Sequence, residues 1–282
     1  MVLSDRRIDA INIPDLIERS VNRGKVNYND YAMKPEQYAD LLKRYGKEII
    51  INAISPRMHK EEFVDRILTA YENGIKNYIV VGKERSTDVL PGYSVPDAIK
   101  RLSRELNGFD DTSIGGICIF HREHRGAAEY NPHRKYLDEY ERVSIKARNG
   151  CKFVTSQIVY DAPTAIRFLE RYNTYCGSKN EKPLTVLISL APISSPTLLN
   201  LLIEKLDVYI PKNAVKDLLK DPDRIGEKSI EISKSILYKI VSYVRENGIN
   251  VPLGLQIEQI GLKNYGLALK LLDKTYEVIK IY

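Results

Sequence analysis

The sequence predicts an α/β protein of the (β/α)8 type, a TIM barrel in which parallel strands alternate with helices. Short apolar runs, typical of buried strands, alternate with longer amphipathic segments along the 282 residues. The connections between these segments are short, and no change of composition marks a linker. This many strand and helix units favour a closed barrel over an open sheet. We therefore predict a single domain over residues 1–282, with seven clear strands rather than eight.

The predicted elements follow one another along the chain. The strands are Ala10–Ile13, Ile49–Ile54, Tyr78–Val81, Ile114–Phe120, Phe153–Tyr160, Leu184–Leu190 and Leu253–Ile260. The helices are Lys34–Tyr45, Glu61–Asn73, Val95–Leu106, 136–148, Pro196–Lys205, Gly226–Glu246 and Tyr265–Ile279. Gly46, Gly74 and Gly150 each follow a helical run, where a residue in the left-handed conformation ends a helix. The run Ile49–Ile54 is almost continuously apolar, which predicts a strand buried on both faces.

Composition indicates an ordinary globular protein, with 28% charged and 43% hydrophobic residues. No apolar run approaches the roughly 20 residues that span a membrane, and the N-terminus lacks the apolar core of a signal peptide. We therefore expect a cytoplasmic protein. The three cysteines are not at metal-ligand spacing, so we expect reduced thiols and no metal site. A net charge of +6 suits phosphorylated ligands, but 37 acidic residues among 43 basic ones argue against nucleic acid.

Polar residues lie within or near the ends of the predicted strands, where a barrel of this type has its active site. They are Asn12, Asn52, Gln157, Gln256 and Glu258. A single buried amide is more often a satisfied core residue than a ligand contact. Five such polar residues at equivalent strand positions favour a binding site. Gln256 and Glu258 are two residues apart, so both side chains are expected to point into the barrel mouth.

Two further segments carry candidate ligand contacts. On the helix 136–148, Glu139, Arg142 and Lys146 share one face while apolar residues form another, so the polar face could bind an anion. The loop after Phe120 contains three histidines, at positions 121, 124 and 133. This loop is either a solvated basic segment or a ligand contact through His124. A metal site is the weakest of the alternatives, because the spacing of His121 and His124 does not suit a regular helix.

The segment from Tyr136 to Asp161 resembles methylenetetrahydrofolate reductases, in which a Lys-containing helix ends at Ala-Gly and a strand carries Thr-Gln before an Asp. The corresponding residues are Lys146, Gly150, Thr155, Gln157 and Asp161. The resemblance continues in register from about Ile8 to Gly261. It implies a flavin-dependent oxidoreductase of one-carbon metabolism. Reduced nicotinamide or another electron donor would reduce the flavin, which would then reduce a methylene-tetrahydropterin to the methyl form. The carrier would be tetrahydrofolate or a related pterin.

The resemblance also implies roles for individual residues. Gln157 would hold the pterin, and Glu84 would lie near the flavin. The cofactor would be FAD, and the alternatives are FMN or no flavin at all. The remaining flavin contacts would be Asn52, Ser94, Val95, Phe120, His124, Glu139, Arg142 and Lys146. Ser94 and Val95 begin a helix, and helix N-termini suit phosphate groups independently of ancestry.

Departures from the family pattern leave alternatives open. In the family, a strand carrying an acidic Glu precedes the strand that corresponds to Ala10–Ile13, whereas here nine residues precede it. Glu258 is the strand-end carboxylate placed to replace that acid. A non-catalytic or auxiliary subunit that has lost the acid is one alternative, and a pterin-binding methyl-transfer subunit without flavin is another. We expect a second copy of the chain, or a distinct subunit, to cover the gap left by the first strand.

Overall fold

The structure is a computed structural model. It describes residues 5–15, 20–22, 25–27, 34–82, 91–107, 111–124, 137–261 and 264–280, and no side chains within 20–27 or at 123–124. The chain divides into two compact units, which are described separately. The first unit contains Met1–Ile117 and Arg148–Lys152, and the second contains Cys118–Ala147 and Phe153–Tyr282.

Parallel strands form the sheet of the first unit. Its strands are β1 (Ala10–Ile13), β4 (Glu48–Ile54), β5 (Asn77–Val81) and β6 (Ser113–Cys118), paired in that order, and β2 (Ser20–Asn22) and β3 (Lys25–Asn27) form a separate antiparallel hairpin. Its helices are α1 (Pro35–Leu42), α2 (Lys60–Glu72) and α3 (Val95–Glu105). In the register, Asn12 lies opposite Ile50 and Asn52 opposite Ile79, so both asparagines project from the same face of the sheet.

Strand β4 differs from its prediction. Ile49, Ile51 and Ala53 are buried, whereas the residues that alternate with them are partly exposed. The expectation of a strand buried on both faces is therefore wrong. A run of isoleucines fits a strand covered on one face or on two, and only the neighbouring elements decide between them.

The second unit is also built from parallel strands and helices. Its strands β7 (Phe153–Ser156), β8 (Thr185–Leu190) and β9 (Leu253–Ile257) pair in parallel. Its helices are α4 (Glu139–Arg148), α5 (Ala162–Lys179), α6 (Pro196–Glu204), α7 (Lys212–Leu219), α8 (Ile225–Glu246) and α9 (Tyr265–Lys280). Strands β7 and β9 end earlier than predicted, so Gln157 and Glu258 directly follow a strand.

Helix α5 was not among the predicted elements, yet its sequence carries clear signals. Asp161 is its N-cap, because the carboxylate accepts a hydrogen bond of 3.1 Å from Thr164 N. Phe168, Leu169 and Tyr172 recur at helical spacing and are buried. Asn180, with φ of 54°, ends the helix in the left-handed conformation. The Asp161 that contributes to the family resemblance thus has a structural role at this helix end.

The prediction of an α/β protein with seven parallel strands is confirmed. The predicted left-handed conformation of the three glycines is also confirmed, since Gly46, Gly74 and Gly150 have φ of 65°, 81° and 104°. A Cβ atom at Gly150 would in addition collide with Ser103. Closure of an eight-stranded barrel and the single-domain assignment stay predictions. No helix within the described residues is long and apolar enough to cross a membrane.

Candidate functional site

Four polar side chains meet at the strand ends of the second unit. The parallel register places Ser189 of β8 beside Gln256 of β9, and Thr155 of β7 lies on the same face. Thr155 Oγ1 is 3.0 Å from Ser189 Oγ and donates a hydrogen bond of 2.9 Å to Gln256 Oε1. Gln256 Nε2 donates to Glu258 Oε1 at 3.3 Å, and Ser189 contacts the same carboxyl group. The site is thus a connected polar network.

The carboxyl group of Glu258 is the titratable group of this network. Burial raises its pKa to about 7, and the hydrogen bonds with Ser189 and Gln256 offset only part of that rise. The backbone N–H of Glu258 donates to Leu190 O at 2.8 Å, which fixes the residue directly after β9. A carboxyl group that titrates near neutral pH is suited to proton transfer.

Gln157, which directly follows β7, has part of its hydrogen-bonding capacity unused. Its backbone N–H donates to Cys118 O at 2.8 Å, and its Nε2 donates to Leu206 O at 2.7 Å. Its Oε1 is buried and has no partner among the residues that the structure describes. Because an unpaired buried carbonyl oxygen is costly, a ligand N–H is a natural partner for it.

A small cavity adjoins Gln157. Its volume is about 250 Å³ including the open mouth, and it is lined by Phe120, His121, Gln157, Ile158, Val159, Tyr160, Asp161, Thr164 and Tyr209. The rings of His121 and Tyr209 are stacked with centroids 6.0 Å apart. Phe120 is buried and packs on Phe168, with ring centroids 4.7 Å apart. The cavity therefore offers aromatic surface together with the free oxygen of Gln157.

Two of the three charged residues proposed for helix α4 are buried, namely Glu139 and Lys146, and anion binding along this face stays a prediction. Glu139 accepts hydrogen bonds from Ile119 N at 3.0 Å and from Arg122 Nη1 at 3.2 Å. Arg142 Nε lies 3.9 Å from the Glu139 carboxylate and donates to Leu137 O. The Glu139 carboxylate thus accepts hydrogen bonds from donors of the protein itself.

The candidate residues of the first unit have separate environments. The Ser94 hydroxyl caps α3, accepting from Asp97 N at 3.4 Å and donating to Asp97 Oδ2 at 2.6 Å, and Val95 is the first residue of that helix. Asn52 Oδ1 is buried without a hydrogen-bond partner among the described residues, as is Asn12 Oδ1. Glu84, His133 and the side chain of His124 lie outside the described residues.

Replacing Ser94 by Ala is expected to lower the free energy of unfolding by about 1 kcal/mol, because α3 loses its N-cap acceptor. Chemical denaturation followed by circular dichroism measures this change. Ser94→Asn retains a capping oxygen and is the matched control, with an expected change close to zero. Equal losses in both variants would contradict the capping role.

Sequence reasoning missed Ser189 and Tyr209. The alternation within β8 places Ser189 on one face of that strand, a signal that could have identified it. Tyr209 follows α6 in an irregular segment, where no periodic pattern indicates a contact with His121. Among the described residues, no group of three or more His, Cys, Asp or Glu side chains is placed to hold a metal ion.

Comparison with known proteins defines the fold more closely than the function. No family model and no curated protein matches the sequence. An uncharacterized protein from Clostridium thermocellum that binds two copies of 5-methyl-5,6,7,8-tetrahydrofolic acid superposes with a TM-score of 0.72. The two sequences are 21% identical, and the match covers 98% of this chain and 84% of that one. A likeness at this level shows that the two chains share a fold.

Other solved structures are less similar. A fungal β-1,4-galactanase gives a TM-score of 0.49 at 13% identity, covering 94% of this chain and 82% of that one. A psychrophilic glycoside hydrolase family 10 endo-β-1,4-xylanase gives 0.47 at 11% identity, covering 97% and 88%. We draw no conclusion from either.

Proposed function

We propose that the protein binds a tetrahydropterin, a reduced folate, at the strand ends of its second unit and acts on its one-carbon group. The observation that carries the proposal is the buried, unpaired Gln157 Oε1, and the titratable carboxyl group of Glu258, which also directly follows a strand, supports it. The pterin ring presents N–H donors beside a carbonyl acceptor along one edge, and an amide oxygen with a carboxyl group complements that pattern. The shared fold with a protein that binds methyltetrahydrofolate supports the same ligand class.

The aromatic surface of the neighbouring cavity suits the rest of such a ligand. His121 and Tyr209 form a stacked pair beside Gln157. A flat pterin or aminobenzoyl ring gains by packing against aromatic side chains, in addition to the area that it buries. This arrangement is typical of small-molecule sites, which are largely apolar with a few polar groups that fix the orientation.

The finer proposal is reduction of a methylene-tetrahydropterin to the methyl form. Opening the methylene bridge requires an acid, and the raised pKa of Glu258 supports this residue as the proton donor. A flavin, when bound, would supply the hydride. The described residues assigned to the flavin fit it poorly, because Ser94, Glu139 and Arg142 already contact protein groups. The presence of a flavin stays a prediction, which an absorbance spectrum tests.

The same observation favours a second candidate, a pterin-binding subunit without flavin that transfers a methyl group or assists a catalytic partner. Purified protein without flavin absorbance that still binds methyltetrahydrofolate would support this candidate. The electron donor, and a second copy or distinct subunit that covers the barrel gap, also stay predictions. Light scattering measures the oligomeric state.

Replacing Gln157 by Leu is expected to weaken binding of 5-methyltetrahydrofolate about 10-fold, which corresponds to about 1.4 kcal/mol for one lost hydrogen bond in a buried site. Leucine is close to glutamine in size, so the cavity shape is largely kept. Isothermal titration calorimetry on the parent and the variant measures the change.

The matched control is Asn200→Leu, an amide-to-leucine change at an exposed position of α6. Its affinity for the folate is expected to equal that of the parent. A parent that does not bind the folate would overturn the proposed function. An affinity unchanged in Gln157→Leu would remove Gln157 from the site.

A further inference from the structure

The side-chain amide of Gln157 has a fixed orientation. Its Nε2 donates a hydrogen bond of 2.7 Å to the backbone carbonyl oxygen of Leu206. A carbonyl oxygen can only accept, so the amide nitrogen must be the atom that faces Leu206. The amide oxygen then points away from Leu206, and this Oε1 is the buried atom without a partner among the described residues. The Leu206 carbonyl oxygen therefore decides which end of the amide is left for a ligand.

The backbone conformation of Asp207 places this carbonyl group. Asp207 has φ of 55°, in the left-handed region that side chains other than those of asparagine and aspartate rarely adopt. The next residue, Val208, is buried, and its backbone N–H donates to Leu202 O of α6 at 2.9 Å. Ile210 is buried as well. The segment 206–210 is thus anchored on the end of α6 and by its own apolar side chains.

The same segment also forms part of the wall of the cavity beside Gln157. Tyr209 lines that cavity, and its ring stacks on His121 with centroids 6.0 Å apart. One short segment after α6 therefore contributes both the carbonyl oxygen that orients the amide and an aromatic surface next to it. A displacement of this segment would change both features of the site together.

We propose that the segment 206–210 determines the specificity of the site, because the Leu206 carbonyl oxygen, placed by Asp207, makes Gln157 a hydrogen-bond acceptor only. The inference rests on the proposed function, since it concerns the ligand that meets Gln157. A reduced pterin presents N–H donors along one edge, and one of them can donate to Oε1. A ligand that presents only acceptor atoms there would leave Oε1 unpaired and bind more weakly. Leu206 and Asp207 are positioning residues, because they act through Gln157.

Replacing Gln157 by Glu tests the role of the Leu206 carbonyl oxygen. The two side chains have nearly the same shape, but an ionised carboxylate has no proton to donate to Leu206. The neutral acid has one, and its other oxygen can still accept from the ligand. We expect Gln157→Glu to bind 5-methyltetrahydrofolate about 10-fold more weakly than the parent at about pH 8, and to regain most of this loss at about pH 5. Isothermal titration calorimetry measures both affinities.

The sign of this pH dependence distinguishes two interpretations. If Leu206 does not orient the amide, the carboxylate is the stronger acceptor for a ligand N–H, and Gln157→Glu binds more tightly at the higher pH. That result, or an affinity ratio that does not change with pH, would overturn the proposal. In the described part of the chain, the titratable groups that line the cavity are His121, Tyr160, Asp161 and Tyr209. These groups and Glu258 are present in both proteins, so the ratio of variant to parent affinity is the quantity to compare.

The variants Asp207→Val and Asp207→Gly test the placement of the carbonyl group and leave Gln157 unchanged. Both remove the Asp207 carboxylate, so any contribution of that group is lost equally. Glycine adopts the left-handed conformation readily, whereas valine strongly disfavours it. We expect the folate to bind about 5- to 10-fold more weakly to Asp207→Val than to Asp207→Gly, because fewer molecules hold the Leu206 carbonyl group in place. Asp207→Ala replaces the valine variant if that protein does not fold, and equal affinities in the folded pair would overturn the proposal.

NMR of the Gln157 side-chain amide in the ligand-free protein separates this inference from the proposed function. Gln157→Leu assigns the signal by removing it. The amide signal is expected to shift in Asp207→Val and to keep its parent position in Asp207→Gly. A parent that binds no folate but shows this pattern would overturn the proposed function and support the orientation of Gln157 by Leu206. A parent that binds the folate, with an amide signal that does not respond to Asp207→Val, would overturn the inference alone.

Discussion

Glu139→Ala is expected to lower the free energy of unfolding by about 3 kcal/mol. The Glu139 side chain has no solvent exposure, and it accepts from Ile119 N and Arg122 Nη1. A hydrogen bond to a charged group contributes about 1.5 to 3 kcal/mol, and a buried N–H left without a partner costs about 1 to 3 kcal/mol. The Arg122 side chain is 42% exposed, so water can solvate it after the change.

Chemical denaturation followed by circular dichroism measures this loss. Glu277→Ala, an exposed carboxylate on α9, is the matched control, with an expected change within about 0.5 kcal/mol. A loss in Glu139→Ala no larger than in the control would mean that the carboxylate is not needed for stability. In that case its assignment to a ligand would gain support.

The second large effect is the dependence of the free energy of unfolding on pH. The free energy of unfolding of the parent is expected to fall by about 1 to 3 kcal/mol more than that of Glu258→Gln as the pH rises from 4.5 to 7. The folded-state pKa of about 7 lies above the ordinary value of 4.5, so in this interval the folded protein binds a proton that the unfolded chain has released. Stability from this group is therefore complete below pH 4.5 and is lost as the pH approaches 7.

Denaturation curves of parent and variant across this pH range measure the difference. Glutamine resembles the neutral acid in shape and does not titrate, so the contribution of Glu258 disappears in the variant. Glu246→Gln, at the exposed end of α8, is the control and is expected to keep the parent's pH dependence. Parallel curves for the parent and Glu258→Gln would show that Glu258 titrates alike in folded and unfolded protein.

The strands and helix ends were the most predictable part of this protein. Apolar runs identified all seven parallel strands, because each run is long enough to cross a sheet and is flanked by polar turns. Helix α5 was missed although Asp161 and Asn180 mark its two ends. Helix α7 was also missed; it has eight residues, of which only Leu218 is buried.

The α4 assignments show where local patterns stop being informative. Helical spacing correctly aligned Glu139, Arg142 and Lys146 along one side, but spacing does not show what covers that side. The structure places the buried carboxylate of Glu139 against Ile119 N and Arg122, which are distant in sequence from α4. A charged stripe therefore has the same sequence pattern whether it faces water, a ligand or the protein interior.

The sequence by itself determined which residues share a face of a strand, because side chains alternate with a period of two. It thereby placed Gln256 beside Glu258 and identified the strand ends as the polar edge. Only the tertiary structure decided which residues meet across strands. Thr155 contacts Ser189 and Gln256, 34 and 101 positions away, through the register of three parallel strands. The raised pKa of Glu258 depends on its burial in the folded chain, which no local pattern of residues encodes.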